Sequence, residues 1–466
     1  MDIPFPQSST PGKKPGDGQG RLINCFCEID GAQQSWTTVP GLAAFIDTLL
    51  PNFRGAIVVG NLLYAAYKDK VITITQNGVI TLLAGALTGT LPVTWALNNK
   101  APTPDLVVVS ENGCFTITPT TVTPFADTDL PQPNSVAFLD GFLTWTIGDG
   151  RIFCSDLNAI TVNALSFAKA ESNPDGLIRG TVSGEQFFAF GTNSIEVWAN
   201  AGNTPFPLAR AAVIPIGLIG QWAVAGYEDG WDKSQLFVAS DGTVRLFNGY
   251  TATPVSTKDV ERAIASVNDK STLIASVYTF GGHAIWSLSS PIWTWEYNVT
   301  TGFWHERASH NLLNWRGGRT VKFNGQWLTG DSQSTTLSVI SDAAYDEIGD
   351  NLIMTLESGP VKKFPTRIQT PAAYFDWTTG QGNIIGDPDS TDPSVLVSWS
   401  HDGGATWAFP NEHSLLGAQG DSGRLVRQNR AGLSTHHGIR WRLTCSSPVY
   451  RRCRGGNMDA AQRRSS

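Results

Sequence analysis

From about residue 55 to residue 345 the hydrophobic positions recur in groups. Each group is an apolar run, a turn residue, an alternating apolar strand, a second turn and a further short strand. The first, AIVVGNLLYAAYKDKVITITQNGVITLLAG, carries Asn77–Gly78, a pair that accepts the positive φ of a two-residue hairpin at low cost. The second, DLVVVSENGCFTITPTTVTPF, has Asn112–Gly113 in the same place. Asp140–Gly141 with Asp149–Gly150, Ser183–Gly184, and Asp241–Gly242 with Asn248–Gly249 punctuate the next three groups. A sixth group runs TLIASVYTFGGHAIWSLSSPIWTWEYNVTTGFWHER, and TVKFNGQWLTGDSQSTTLSVI gives one more. A spacing of roughly 40–50 residues per cluster of short strands is that of propeller blades. A small sheet with two apolar faces is unstable alone in water, so blades stack around an axis and bury one another.

This pattern predicts an all-β chain: a β-propeller of six or seven blades followed by a C-terminal β-sandwich or jelly-roll-like domain. The boundaries it suggests are an extended arm and lead-in strands over 1–50, the propeller over 51–345, the sandwich over 346–458 and a disordered tail over 459–466. The first twenty residues are Pro, Gly, Ser and Lys without periodicity, whereas RLINCFCEID and SWTTVPGLAAF read as strands. STKDVERAIAS, Ser256 to Ser266, has helical periodicity that puts Val260, Ile264 and Val267 on one face. Past residue 351 the strands lengthen, as in SVLVSWSHDGGATWA and GIRWRLTCSSPV.

Composition sharpens this. Only 16% of residues are charged while the chain carries 16 Trp and 22 Phe, so much aromatic surface must be buried in cores or against partners. The 47 Gly and 26 Pro penalise helix interiors and favour turns. Net charge is −7, the wrong sign for a protein that grips nucleic acid over its whole surface. The C-terminal stretch is the exception: Arg424, Arg427, Arg430, Arg440, Arg442, Arg451, Arg452 and Arg454 meet few acids there. They suit either a DNA or acidic-partner contact or solvated strand faces. The start lacks the apolar run of a signal peptide, and no segment approaches the ~20 apolar residues of a membrane span.

Catalytic groupings are sparse. GxSxG at a nucleophile elbow, GxxxxGK[ST] and HExxH do not occur. The six cysteines are scattered, and Cys25 with Cys27 is too little for a zinc site. His436–His437, placed on a strand, would face opposite ways. Asp229 with Asp232, the group Asp346, Glu347 and Asp350, and the loop acids Asp387, Asp389 and Asp392 all read as solvated loop carboxylates. SHDGGATW matches the Asp-box S-x-D-x-G-x-T-W, with Ser400, Asp402, Gly404 and Trp407 in its fixed positions; it is a structural turn. No catalytic, metal or cofactor site is expected, and the chain does not read as an enzyme.

The stretch AESNPDGLIRGTVSGEQFFAFGTNSIEVWANAGN resembles the tail nozzle, or tail hub, proteins of short-tailed bacteriophages, also called packaged DNA stabilisation proteins or tail accessory factors. In that family an A-E-S-x-P-D-G-[IL]-I turn precedes F-G-[ST]-x-[ST]-I-E. Glu171, Pro174, Asp175, Gly176, Phe190, Gly191, Ile195 and Glu196 stand at those positions here. Asn24–Cys25, the Pro40–Gly41–Leu42 turn, SWSHDGGATWA and GIRWRLTCSSPVYRRCRGGNMD are similar to its terminal strands. The resemblance implies a structural virion protein, assembled in the host bacterial cytoplasm, that forms a homo-hexameric ring beneath the head-to-tail adaptor. It implies a tail needle or plug and tailspike or fibre proteins as neighbours. The ring would continue the DNA channel, retain packaged DNA, touch double-stranded DNA transiently and serve as the ejection conduit. Two other readings compete. One is a glycan-binding or glycan-cleaving propeller serving as a phage receptor-binding protein, with Trp293, Trp295 and Trp304 available for stacking. The other is a propeller scaffold for host signalling.

Overall fold

The computed structural model describes residues 1–14, 16–170, 175–415 and 423–463. Seven sheets of at least four strands follow one another around an axis, in the order of the sequence groups. Blades one to five occupy residues 53–82, 94–124, 133–169, 177–214 and 224–254, and blade six takes residues 274–307. Blade seven combines residues 317–341 with Gly41–Asp47, which pairs antiparallel with Thr336–Ser341 from Asp47↔Thr336 to Gly41↔Ser341. The ring is therefore closed by chain from both ends of the propeller, held by backbone hydrogen bonds.

The continuous apolar runs have a direct cause. In strand Leu106–Ser110, Leu106 and Val108 pack toward blade one, while Val107 and Val109 pack toward blade three. In Gln186–Gly191, Phe187 and Ala189 face blade three, and Phe188 and Phe190 face blade five. A strand buried on both faces needs apolar residues at consecutive positions, where a half-exposed strand would alternate. Hairpins between the first two strands of several blades use paired positive-φ residues: Asp140–Gly141, Gly184–Glu185, Gly281–Gly282 and Asn324–Gly325. Their twist matches that of the flanking strands. Helix Lys258–Ser266 forms as the periodicity predicts, capped by Thr257, with Val260, Ile264 and Val267 buried.

The first twenty residues depart from the expectation of an extended arm, the described ones being built into the sandwich, while the strands expected over RLINCFCEID and SWTTVPGLAAF form. The Met1 ammonium donates to the Met458 carbonyl at 2.7 Å, the Ile3 N–H to the Gly456 carbonyl, and the Trp36 indole to the Pro6 carbonyl at 2.7 Å. Ile3, Phe5, Leu22, Cys25, Cys27 and Trp36 are buried with Met354, Phe375, Trp441 and Met458. One sandwich sheet runs Cys25–Asp30, Gln33–Thr38, Arg452–Met458, Arg367–Trp377, Val426–Leu433. The other is continuous with blade six. Arg21–Ile23 pairs in parallel with Phe303–Arg307 and antiparallel with Met354–Glu357, and Arg440–Cys445, Ser394–Ser400 and Asn411–Ser414 follow in order. One nine-stranded sheet thus belongs to both units. The expected disordered tail is also ordered in part, since Ala461–Arg463 pairs with Arg367–Gln369; residues 464–466 lie outside the described residues.

Candidate assembly surface and central channel

The central motif is a latch between blades. Glu171 and Pro174 lie outside the described residues. Asp175 accepts from the N–H groups of Asn193 and Ser194 at 2.6 and 3.1 Å, closing the turn between the second and third strands of blade four. A Cβ on Gly191 would fall 2.5 Å from the Asp175 carboxylate, so glycine is required there for the close approach. Likewise a Cβ on Gly176 would fall 2.5 Å from the Gly148 carbonyl oxygen of blade three. Phe190 and Ile195 are fully buried, Phe190 against Phe237 of blade five. Glu196, 1% exposed, pairs with Arg210 at 3.2 Å. The described residues of the motif order three neighbouring blades.

The Asp-box-like turn follows the same logic. Ser400 donates to Asp402 at 2.7 Å and accepts from the Gly404 N–H at 2.7 Å, while Asp402 accepts from the Thr406 N–H and hydroxyl at 2.9 and 2.7 Å. Desolvation works against the Asp402 charge, but the Thr406 and Ser400 hydrogen bonds hold its carboxyl well below the usual range. The Arg442 guanidinium lies 3.8 Å from the Trp407 ring centre.

The C-terminal arginines are mostly engaged within the fold. Arg440 and Arg451 are buried, and Arg451 donates to the carbonyls of Tyr345, Leu352 and Cys445. Arg442 pairs with Glu357, Arg452 with Glu28 and Arg454 with Asp376. Arg424, Arg427 and Arg430 are exposed on or beside the sheet-edge strand Val426–Leu433. There Gln428 accepts from Asn411 of the other sheet at 2.9 Å, so two sheet edges meet. Phe409 and Leu425, 87% and 63% exposed, adjoin these strands, and Phe364, Ile384 and Ile385 are exposed elsewhere on the sandwich. Aromatic side chains and arginine are among the residue types that protein interfaces favour.

A buried ionic junction lies between blades six and seven and the chain leading to the sandwich. Glu296 accepts from Tyr278 and lies 2.9 Å from His305. Arg307 lies 3.5 Å from both Glu296 and Glu347 and donates to Tyr278 and to the Pro40 carbonyl. The Trp315 indole donates to Glu347, and Arg316 bonds Asp331, Asp350 and the Glu347 carbonyl. Burial alone would raise the Glu296 carboxyl, but Arg307, His305 and Tyr278 bring it below its usual value. At Glu347 burial wins over Arg307 and the carboxyl is pushed up. Glu347 is therefore a buried structural group, contrary to the solvated loop acid expected of it; Asp350 is exposed but tied to Arg316.

On the propeller axis the inner strands enclose a cavity of about 430 Å³. Arg179, Tyr227, Glu228 and Arg319 line it, with exposed Asp229 at its edge. A cavity of this volume is the size of a small-molecule pocket, too small to pass a duplex. Of these residues only Asp229 stood out in the sequence, as a solvated loop acid, and it is exposed as expected. The available signal was an arginine inside an otherwise apolar first strand, as in LIRGTV.

Other expectations resolve simply. Trp295 and Trp304 are core residues, the latter donating to the Val255 carbonyl, and Trp293 is half-buried against the same core. His436 and His437 sit in a turn, not on a strand, with ring centres 4.1 Å apart. Asp232 is exposed, as are Asp387, Asp389 and Asp392. Among the described residues no three His, Cys, Asp or Glu side chains are grouped to hold a metal, and no helix is long and apolar enough to cross a membrane.

The profile of the family described as bacteriophage P22 Gp10, β-propeller (phage stabilisation), matches residues 22–345. No curated protein sequence matches the chain. Among solved structures, the chain is similar to the WD40 β-propeller domain of Doa1, at 11% identity over 66% of this chain and 97% of that one, with a TM-score of 0.41. It is also similar to the computationally designed Ika8 protein, at 12% identity over 73% of this chain and 98% of that one (TM-score 0.38). BamB from Moraxella catarrhalis gives 12% identity over 67% and 92%, with a TM-score of 0.39.

Proposed function

The chain belongs to this bacteriophage P22 Gp10 β-propeller family, a family of phage structural proteins, and from that premise we propose that it is the subunit of the distal tail nozzle ring. In this reading copies of the chain form a hexameric ring in the virion, beneath the head-to-tail adaptor. The ring continues the DNA channel, retains packaged DNA and becomes the conduit for ejection, with a needle or plug and spike or fibre proteins attached nearby. The chain acts without catalysis.

The observation that carries the reading is the sandwich surface, where Phe409 and Leu425 stand in water on or beside the strands that carry exposed Arg424, Arg427 and Arg430, and Phe364, Ile384 and Ile385 are exposed elsewhere on it. A subunit destined for permanent contacts exposes such groups until assembly covers them. Because the axial cavity is only the size of a small-molecule pocket, in this reading the DNA path runs between copies rather than through one. A net charge of −7 suits a wall past which phosphates must slide. The glycan-receptor alternative loses two of its three stacking candidates to the core.

The test is reconstitution on DNA-filled heads that carry the adaptor and lack this component. Saturable binding at six copies per head, abolished by Phe409→Asp, is expected. Purified protein that ignores such heads and instead binds host polysaccharide would overturn the reading.

A further inference from the structure

The axial cavity has the chemistry of a ligand site, independent of the nozzle reading. Arg179, on the first strand of blade four, is 2% exposed, and its Nε and Nη1 groups have no hydrogen-bond partner. Its Nη2 donates to the Tyr227 hydroxyl at 2.7 Å. Arg319, from the first strand of blade seven, donates to the same oxygen at 2.5 Å. Both guanidinium groups lie against the Trp222 ring, 5.0 and 5.3 Å from its centre. Residues far apart in sequence are thus brought within two hydrogen bonds of each other.

The lining holds three cations, Arg179, Arg319 and Lys322, against two acids, Glu228 and the exposed Asp229. Among the described residues neither arginine has a carboxylate within ion-pair distance. The nearest acid in the lining, Glu228, turns one oxygen to the Gly226 and Tyr227 N–H groups at 2.6 and 3.0 Å, and burial pushes its carboxyl up in spite of Arg319 and Arg179. A hydroxyl has two lone pairs and one proton. With both lone pairs of Tyr227 facing guanidinium donors, its proton is left to donate. Two like charges and several unused donors therefore converge on a cavity that is large enough for a small ligand and reachable past half-buried Arg319 and Tyr227.

We propose that the propeller axis is a binding site for a small oxyanion of the phosphate class, held by Arg179, Arg319 and the Tyr227 hydroxyl. The forked guanidinium donors match paired phosphate oxygens, and apolar walls from the inner strands raise the strength of those bonds by excluding water. The anion would join blades four, five and seven across the axis.

The test is calorimetric titration of the full chain with inorganic phosphate in chloride buffer of matched ionic strength, with glycerol phosphate as a second arm. One saturable site per chain is expected, about tenfold weaker in Arg319→Gln and also weakened in Tyr227→Phe. Binding of inorganic phosphate alone would assign a free ion, and binding of both would assign a phosphomonoester group; either supports the site. Arg319→Gln should keep the wild-type melting temperature in chloride, which separates loss of the site from loss of fold. If it does not, Tyr227→Phe reads the site without removing a charge. Absence of saturable binding, or equal affinity in wild type and both variants, would overturn the proposal.

Discussion

At the junction of propeller and sandwich, Arg307 has Glu296 and Glu347 each 3.5 Å away. On the propeller axis, Arg179 and Arg319 share a tyrosine hydroxyl and no carboxylate at that range among the described residues. Both regions take guanidinium groups out of water, but only the first supplies the countercharge from the chain itself. The junction is where four parts of the chain meet: blade six, blade seven, the Pro40 turn, and Glu347 before the sandwich. An ion cluster there fixes their relative placement, because any shift would separate charges in a medium of low dielectric. The axis lies between blades already ordered by apolar packing, so its arginines are not needed for that purpose.

This difference can be broken by substitution. Arg307→Met should be the most damaging change, about 3–5 kcal/mol, because two buried carboxylates lose their cation; the apparent melting temperature of the purified chain measures it. Gly191→Ala should follow at about 1–3 kcal/mol, since the new methyl displaces Asp175 from its turn. Arg179→Met should cost less than about 1 kcal/mol, because no acid is left unpaired and a like-charge contact is removed. If Arg179→Met cost as much as Arg307→Met, the contrast between the two regions would fail.

The pH response sharpens the same comparison within the junction. Glu296 has a depressed carboxyl in the fold, so its contribution is present above the unfolded carboxylate range and is lost as pH falls through the folded value. Glu347 has a raised one; its contribution is present below the unfolded value and is lost as pH rises through the folded value. Melting curves between pH 3 and pH 8 should therefore show Glu296→Gln weakening the acid-side dependence. Glu347→Gln should instead reduce the loss of stability toward neutral pH. Identical profiles for the two variants would contradict the opposite directions.

The blades were legible in the sequence because each is local: consecutive strands joined by Asn–Gly, Asp–Gly or Gly–Gly turns, with burial on both faces written as unbroken apolar runs. The helix at Lys258–Ser266 was legible for the same reason. Pairing between distant segments was not. Arg21–Ile23 lies between strands more than 280 residues away, and nothing in PFPQSSTPGKK distinguishes a packed segment from a free arm. The arginine-rich end looked like one basic patch, since partners such as Glu28 for Arg452 come from the opposite terminus. Asp175 and Gly191 stood out as motif positions, but their contact, and the meeting of Arg179 with Arg319, exist only once the ring closes.

The most direct measurement of the central claim is the fraction of packaged genome that stays nuclease-resistant in adaptor-bearing heads, with and without this protein. The nozzle account predicts that added protein preserves the genome and that Phe409→Asp, folded but unable to assemble, does not. Equal leakage with and without saturating protein would contradict it.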